Sequence, residues 1–293
     1  MTDIHYGGNG SSGDWSSQAF PTPKILASSF AVTPLEILTL EEEYYTHGTA
    51  FVYRCDSEMF LVTAWHVVSG RDFFSRVLNK DGLIPSKLRF YVPRFQQTGE
   101  YLNISSEPLV LELSEEAQER LAVPPVLNGI SVDVAVAKLP MSSFRSGDFT
   151  AKGMNEFEWG LPKRIRKPIR SAIGSDVFIP GYPLKTYEGL KTPIWKRGSI
   201  ATEPGFQITP AGAFLVDINS TGGMSGAPII RRVITMVADN LDDGVIEEFI
   251  DEAIVGIYSG RALSSSEPTF AIGYGWPIDF VDKIIEEKQC FSG

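Results

Sequence analysis

The chain has 293 residues, 43% hydrophobic and 21% charged, a balance that supports a sizeable globular core without metals or disulfides and excludes wholesale disorder. Its 26 basic and 36 acidic side chains leave a formal charge of −10, which argues against nucleic acid as a partner. Two cysteines, Cys55 and Cys290, could form at most one bridge, and no Cys/His cluster has metal-ligand spacing. Free thiols in a reducing compartment are therefore expected, and no metal. The start lacks a basic segment followed by an apolar one, and no apolar run approaches the roughly 20 residues that cross a bilayer. A cytoplasmic protein with no membrane partner is the expectation.

The first 26 residues include Gly7-Gly8-Asn9-Gly10-Ser11-Ser12-Gly13, too flexible and too poor in apolar groups for a core, so a flexible segment over 1–26 is expected before a globular unit over 27–290. From Gly48 the pattern is that of β-strands. Gly48-Thr49-Ala50-Phe51-Val52-Tyr53 and Met59-Phe60-Leu61-Val62-Thr63-Ala64, separated by Cys55-Asp56-Ser57-Glu58, predict a hairpin. Similar runs recur at Lys87–Pro93, Leu109–Leu113, Val132–Leu139, Ser175–Ile179, Trp195–Ala201, Ala213–Ile218, Ala227–Val233, Ala253–Tyr258 and Phe270–Tyr274. Many short strands punctuated by Gly and Pro predict an all-β barrel or sandwich rather than an α/β fold. Between Met141 and Arg170 the strand pattern lapses. There the basic run Lys163-Arg164-Ile165-Arg166-Lys167-Pro168-Ile169-Arg170 reads as a solvated linker between two β halves, with a nucleic-acid contact as the alternative. From Asp239 to Glu252, acidic residues alternate with Leu241, Val245, Ile246, Phe249 and Ile250, a spacing that suits a short amphipathic helix inserted in a hairpin. Ile278 to Lys288 predicts a final helix with Phe280, Ile284 and Ile285 on one face.

Three residues have settings that suit chemistry. Of the histidines His5, His47 and His66, only His66 closes an apolar run, Leu61 to Val68, where flanking core residues can hold a general base rigidly. A satisfied core histidine is the alternative at such a position. Ser225 lies in Ser220-Thr221-Gly222-Gly223-Met224-Ser225-Gly226-Ala227-Pro228, whose glycines permit a backbone that turns successive N–H groups into one concavity. A plain glycine-rich hairpin loop is the alternative there, and the β-run that follows disfavours the strand-to-helix elbow of α/β-hydrolases. Asp133 opens the apolar stretch Val132 to Leu139, a costly place for a carboxylate unless it is paired or caps a turn.

The order His66, Asp133, Ser225 is that of the chymotrypsin-like triad. Thr63-Ala64-Trp65-His66-Val67-Val68, Asp133-Val134-Ala135-Val136 and Gly223-Met224-Ser225-Gly226-Ala227-Pro228 resemble the bacterial trypsin-like serine peptidases, nearest to the HtrA-type branch. Gly48-Thr49-Ala50-Phe51, Gly181-Tyr182-Pro183-Leu184, Gly198-Ser199-Ile200 and Gly256-Ile257-Tyr258-Ser259-Gly260 add to the likeness, which spans Ala27 to Glu287. The resemblance implies two six-stranded antiparallel β-barrels, about 47–139 and 171–275, joined by a linker over 140–170 and followed by a helix over 278–288, with the catalytic cleft between the barrels. It implies Ser225 as nucleophile, His66 as general base and acid, Asp133 as its orienting carboxylate, and the Gly223 and Ser225 N–H groups as oxyanion donors. Neither a metal nor an organic cofactor is implied. By analogy the substrate pocket has Asn219 and Ser220 at its base and Tyr258, Ser259 and Gly260, with Tyr274 and Gly275, as walls.

Three departures from the family shape the expected function. Met224 stands where digestive relatives carry an aspartate that pairs with a new amino terminus, so activation by that ion pair is not expected, and no peptide-binding module is expected after the catalytic unit. Asn219 offers no buried charge for a lysine or arginine at the cleaved position, which predicts a neutral preference. The expected function is a gated cytoplasmic serine endopeptidase with limited protein or peptide substrates, a stress or defence effector controlled by a regulatory protein partner. A catalytically silent binding or scaffold protein of the same fold is the alternative, and an esterase or transferase using the same triad is a third reading.

Overall fold

The computed structural model describes residues 18–21, 29, 31–78, 84–98, 101–140, 145–146, 149–150, 152–156, 173–183, 192–203, 212–238, 246–261 and 271–292. The strands are β1 (Gln18–Pro21), β2 (Val32–Leu38), β3 (Tyr44–Cys55), β4 (Glu58–Thr63), β5 (Lys87–Thr98), β6 (Tyr101–Glu112), β7 (Val126–Leu127), β8 (Ile130–Ser131) and β9 (Ala135–Leu139), then β10 (Arg145–Ser146), β11 (Phe149–Thr150), β12 (Asp176–Gly181), β13 (Ile194–Ile200), β14 (Phe214–Asp217), β15 (Pro228–Ala238), β16 (Ile246–Arg261) and β17 (Ile272–Pro277). The α-helices whose bounds lie among the described residues are α1 (Trp65–Ser69), α2 (Glu115–Leu121) and α3 (Asp279–Glu286).

The expected hairpin is β3–β4, in which Phe51 faces Val62 and Tyr53 faces Phe60, cross-strand pairs of the aromatic and β-branched kind that stabilise a sheet. Around it the first half is an antiparallel sheet in the order β1-β6-β5-β2-β3-β4-β9, whose six strands from β6 to β9 form a strongly curled half-barrel. The second half closes fully, in the order β12-β13-β14-β17-β16-β15. A closed six-strand barrel beside a curled six-strand half-barrel, followed by a short carboxy-terminal helix, is the chymotrypsin-like architecture that the resemblance implies. Two apolar clusters are buried, and the first, built mainly from the first half, also takes in Ile230, Ile257 and Trp276 of the second. Phe51, Phe60, Leu61, Trp65 and Phe90 are buried in the first. Val177, Ile179, Phe214, Val216, Ile229 and Met224 are buried in the second.

The last helix, α3, buries Val281 and Ile284. Beyond it Phe291 bridges to Ala137 and its carbonyl accepts from Lys138 N at 2.8 Å, so the end of the chain is tied to the half that its start built. Three elements differ from the expectation. The strands begin before Gly48, since β2 is buried along its whole length and pairs with both β3 and β5. The helix α2, capped by Ser114 Oγ accepting from Ala117 N at 3.2 Å, follows β6 and was not among the expected elements. The acidic stretch forms no helix where it is described, because 246–252 is the start of β16, paired with β15 from Ala238↔Ile246 to Arg232↔Glu252. Of the amino-terminal segment, Gln18–Pro21 pairs with β6. Its glycine-rich run and the basic run Lys163 to Arg170 lie outside the described residues.

Candidate active site

His66 does not end a strand. β4 stops at Thr63, and the chain turns through Ala64 into α1, five residues long, which buries Trp65, Val67, Val68 and Ser69 and leaves the imidazole 27% exposed. Asp133 sits in the bend before β9 between the buried Val132 and Val134, and is itself 1% exposed. Burial of that carboxylate is offset by three donors: His66 N at 2.8 Å, His66 Nδ1 at 2.7 Å, and Ser259 Oγ. Because a carboxylate only accepts, Nδ1 carries the proton and Nε2 presents its lone pair away from Asp133. Burial pushes the imidazole pKa down, but the charge and hydrogen bond of Asp133, with the charge of Asp72, outweigh it, and the net is a value above the ordinary 6.5. Asp72 is held low by its hydrogen bonds to Ser75 and Phe74, which shape the turn after α1.

The Ser225 loop is fixed from β3. Thr49 N donates to Ser225 O at 2.8 Å, and Thr49 Oγ1 donates to Gly223 O at 2.7 Å while accepting from Tyr182 N at 3.0 Å. One threonine thus sets the direction of two carbonyls in the loop. Gly223 and Gly226 have φ of 91° and 89°, and a Cβ at Gly226 would lie 2.0 Å from Thr49 O, so only glycine fits that bend. Met224, between Gly223 and Ser225, is fully buried in the barrel core. Its Sδ lies 2.9 Å from where a Cβ on Gly181 would stand.

Two contacts bring Ser225 beside the His66–Asp133 pair. A Cβ built on Gly48 would meet Val67 Cγ1 at 2.8 Å and Ser225 O at 3.1 Å, so the helix carrying His66 and the loop carrying Ser225 close on one glycine. A Cβ on Gly260 would lie 3.3 Å from Ser225 Oγ, and Gly260 follows Ser259, which holds Asp133.

The five residues read as substrate-binding occupy different places. Gly260 flanks Ser225 Oγ, and Ser259 donates to Asp133. Ser220 and Tyr258 are buried and bonded to each other through their hydroxyls, with the tyrosine ring against Gly273. Asn219 is exposed, and its carbonyl accepts from Lys196 Nζ at 2.7 Å. Sequence reasoning gave no role to Thr49 or His47. The His47 ring stands against Gly223, its Nε2 2.6 Å from where a Cβ would be, and Tyr44 OH bonds Nδ1 at 2.6 Å. The position of His47 directly before the Gly48-Thr49 pair was the available signal.

No protein-family model matches the chain, and no curated protein matches it. Among solved structures, it is similar to the Rv3671c protease of M. tuberculosis in its active form, with 16% identity over 90% of this chain and 83% of that one and a TM-score of 0.43. It is similar to the inactive form of the Rv3671c protease at 15% identity over 91% and 96%, TM-score 0.41. A serine endoprotease from Yersinia pestis aligns at 14% identity over 92% of this chain and 67% of that one, TM-score 0.40.

Proposed function

We propose that the chain is a trypsin-like serine endopeptidase, akin to the HtrA-type branch, acting on protein or peptide substrates in the cytoplasm under the control of a partner. The observation that carries this reading is the buried Asp133 holding the His66 ring by Nδ1, on a helix that packs with the Ser225 loop against Gly48. Ser225 Oγ adds to the scissile carbonyl carbon as its proton passes to His66 Nε2. The carbon–nitrogen bond then breaks, and the imidazolium gives that proton to the leaving amine. Water deacylates the enzyme by the reverse proton path. The N–H groups of Gly223 and Ser225 stabilise the oxyanion, each worth about 3–4 kcal/mol in comparable sites.

A small neutral residue at the cleaved position follows from the same surroundings. The Tyr258 ring takes up space beside Ser220, and the Lys196 ammonium at Asn219 O repels a second cation. Internally quenched peptides that vary only at that position test the reading. Hydrolysis of alanine or serine peptides by the wild type, absent in Ser225→Ala, is the expected result. Equal turnover by Ser225→Ala, or a preference for lysine or arginine, contradicts it.

A further inference from the structure

The side chains that β3 turns toward the Ser225 loop include more than Thr49. In a strand, residues two apart share a face, and His47 shares that of Thr49. Both meet the same glycine. Thr49 Oγ1 donates to the Gly223 carbonyl at 2.7 Å, and the His47 ring covers the Gly223 α-carbon, with Nε2 2.6 Å and Cδ2 3.0 Å from where a Cβ would stand. The Tyr182 carbonyl lies 2.4 Å from the same point. Gly223 has a φ of 91°, and because glycine moves readily among backbone conformations, its neighbours must fix the one it adopts. Gly222 is exposed, and a Cβ there would meet nothing within 4 Å. The peptide group between the two glycines, which carries the Gly223 N–H, is therefore open on the Gly222 side. On the Gly223 side it is confined by Thr49, Tyr182 and His47.

His47 is itself held. β3 bulges against β2 at Tyr45, since Thr46 pairs with Ile37 and Tyr44 with Leu38. A bulge re-aims the side chains around it, and here Tyr44 OH reaches His47 Nδ1 at 2.6 Å. That bond fixes the rotation of the ring and keeps its Nε2 edge against Gly223. His47 lies outside the proton path of His66, Asp133 and Ser225, so its contribution is to place a donor rather than to move a proton.

We propose that His47, oriented by Tyr44, is a positioning residue that holds the Gly223 N–H in its oxyanion-binding direction. The inference rests on the peptidase reading, so its first test uses no turnover. Nitrogen-relaxation NMR of the Ser225→Ala protein reads the Gly222 and Gly223 amides. The expected result is millisecond exchange broadening of both when His47→Ala is added, and sharp signals when His47→Gln, whose amide reaches about as far as the ring, is added instead. Kinetics with Ser225 in place read the consequence. His47→Ala should lower kcat about a hundredfold with KM within about twofold, the scale of a misplaced oxyanion donor. His47→Gln should recover most of that loss, and Tyr44→Phe, at an exposed position, should lower kcat about three- to tenfold, the worth of one hydrogen bond. Amides as sharp in His47→Ala as in its parent overturn the proposal. So does a loss of unfolding stability in His47→Ala with kcat unchanged, or a rise in KM that accounts for the whole loss of kcat/KM. Broadening in His47→Ala beside a wild type that turns over no peptide upholds the anchoring of Gly223 and overturns the peptidase reading alone.

Discussion

At the scale of single residues, the account rests on a carboxylate that is buried and yet fully used. Asp133 accepts from the backbone and the ring of His66 and from Ser259, so its removal disturbs both the orientation and the electrostatics of the imidazole. Asp133→Asn is expected to lower kcat by about 10⁴-fold, the scale seen when the ring loses its correct tautomer, without unfolding the protein. The base must be neutral to take a proton, so activity rises as pH climbs through the His66 pKa, and the acidic limb should have its midpoint above the free-imidazole value of 6.5. Removing the Asp133 charge should move that limb to lower pH. A pH–rate profile of the two proteins measures both effects, and a wild-type limb below 6.5 would contradict the assigned geometry. Thr49→Val keeps shape but leaves Gly223 O and Tyr182 N without their hydroxyl partner, at a cost of about 1–3 kcal/mol in denaturant unfolding. Its kcat should fall too, because the loop carbonyls lose their anchor. His66, Asp133 and Ser225 were singled out from their local settings and from their order along the chain. The Thr49 and Ser259 contacts were not, since each joins residues more than a hundred positions apart.

At the scale of elements, the loop before Ser225 is held by an apolar side chain. Met224 packs in the barrel core against Gly181, next to the Thr49 hydroxyl, so the loop is fastened without any new amino terminus. Met224→Ala is expected to cost about 2–5 kcal/mol and to loosen the loop, read as lower stability together with reduced reactivity of Ser225. Gly226→Ala, with a Cβ forced against Thr49 O, should prevent the loop from adopting this shape at all. Sequence periodicity failed at two elements for identifiable reasons. The run from Leu61 to Val68 is apolar apart from Thr63 and His66 and holds no glycine or proline, so no breaker marks the point after Thr63 where strand gives way to helix. In 246–252, a spacing of four between Ile246, Ile250 and Ile254 fits one face of a helix and equally one face of a strand. Pairing decides between them: these three stand opposite Ala238, Ile234 and Ile230 in the β15–β16 register.

At the scale of the whole molecule, the two halves are joined at the candidate site. The first supplies His66 and Asp133, the second supplies Ser225 and Ser259, and Thr49 of the first holds the loop of the second. The all-β class was legible from short strands punctuated by Gly and Pro. That the first half curls without closing while the second closes depends on pairings between distant strands, which local pattern does not encode. The carboxy-terminal segment crosses back to the first half, so Ile284→Ala in α3, fully buried, should cost about 2–5 kcal/mol in a denaturant titration while leaving the chemistry of Ser225 unchanged under native conditions. The central claim is that His66, Asp133 and Ser225 act as one assembled nucleophile. Intact mass after treatment with a fluorophosphonate, applied to the wild type and to Ser225→Ala, tests it most directly. The account predicts a single adduct on the wild type that is absent from the variant, whereas no adduct on the wild type, or the same adduct on both, would contradict it.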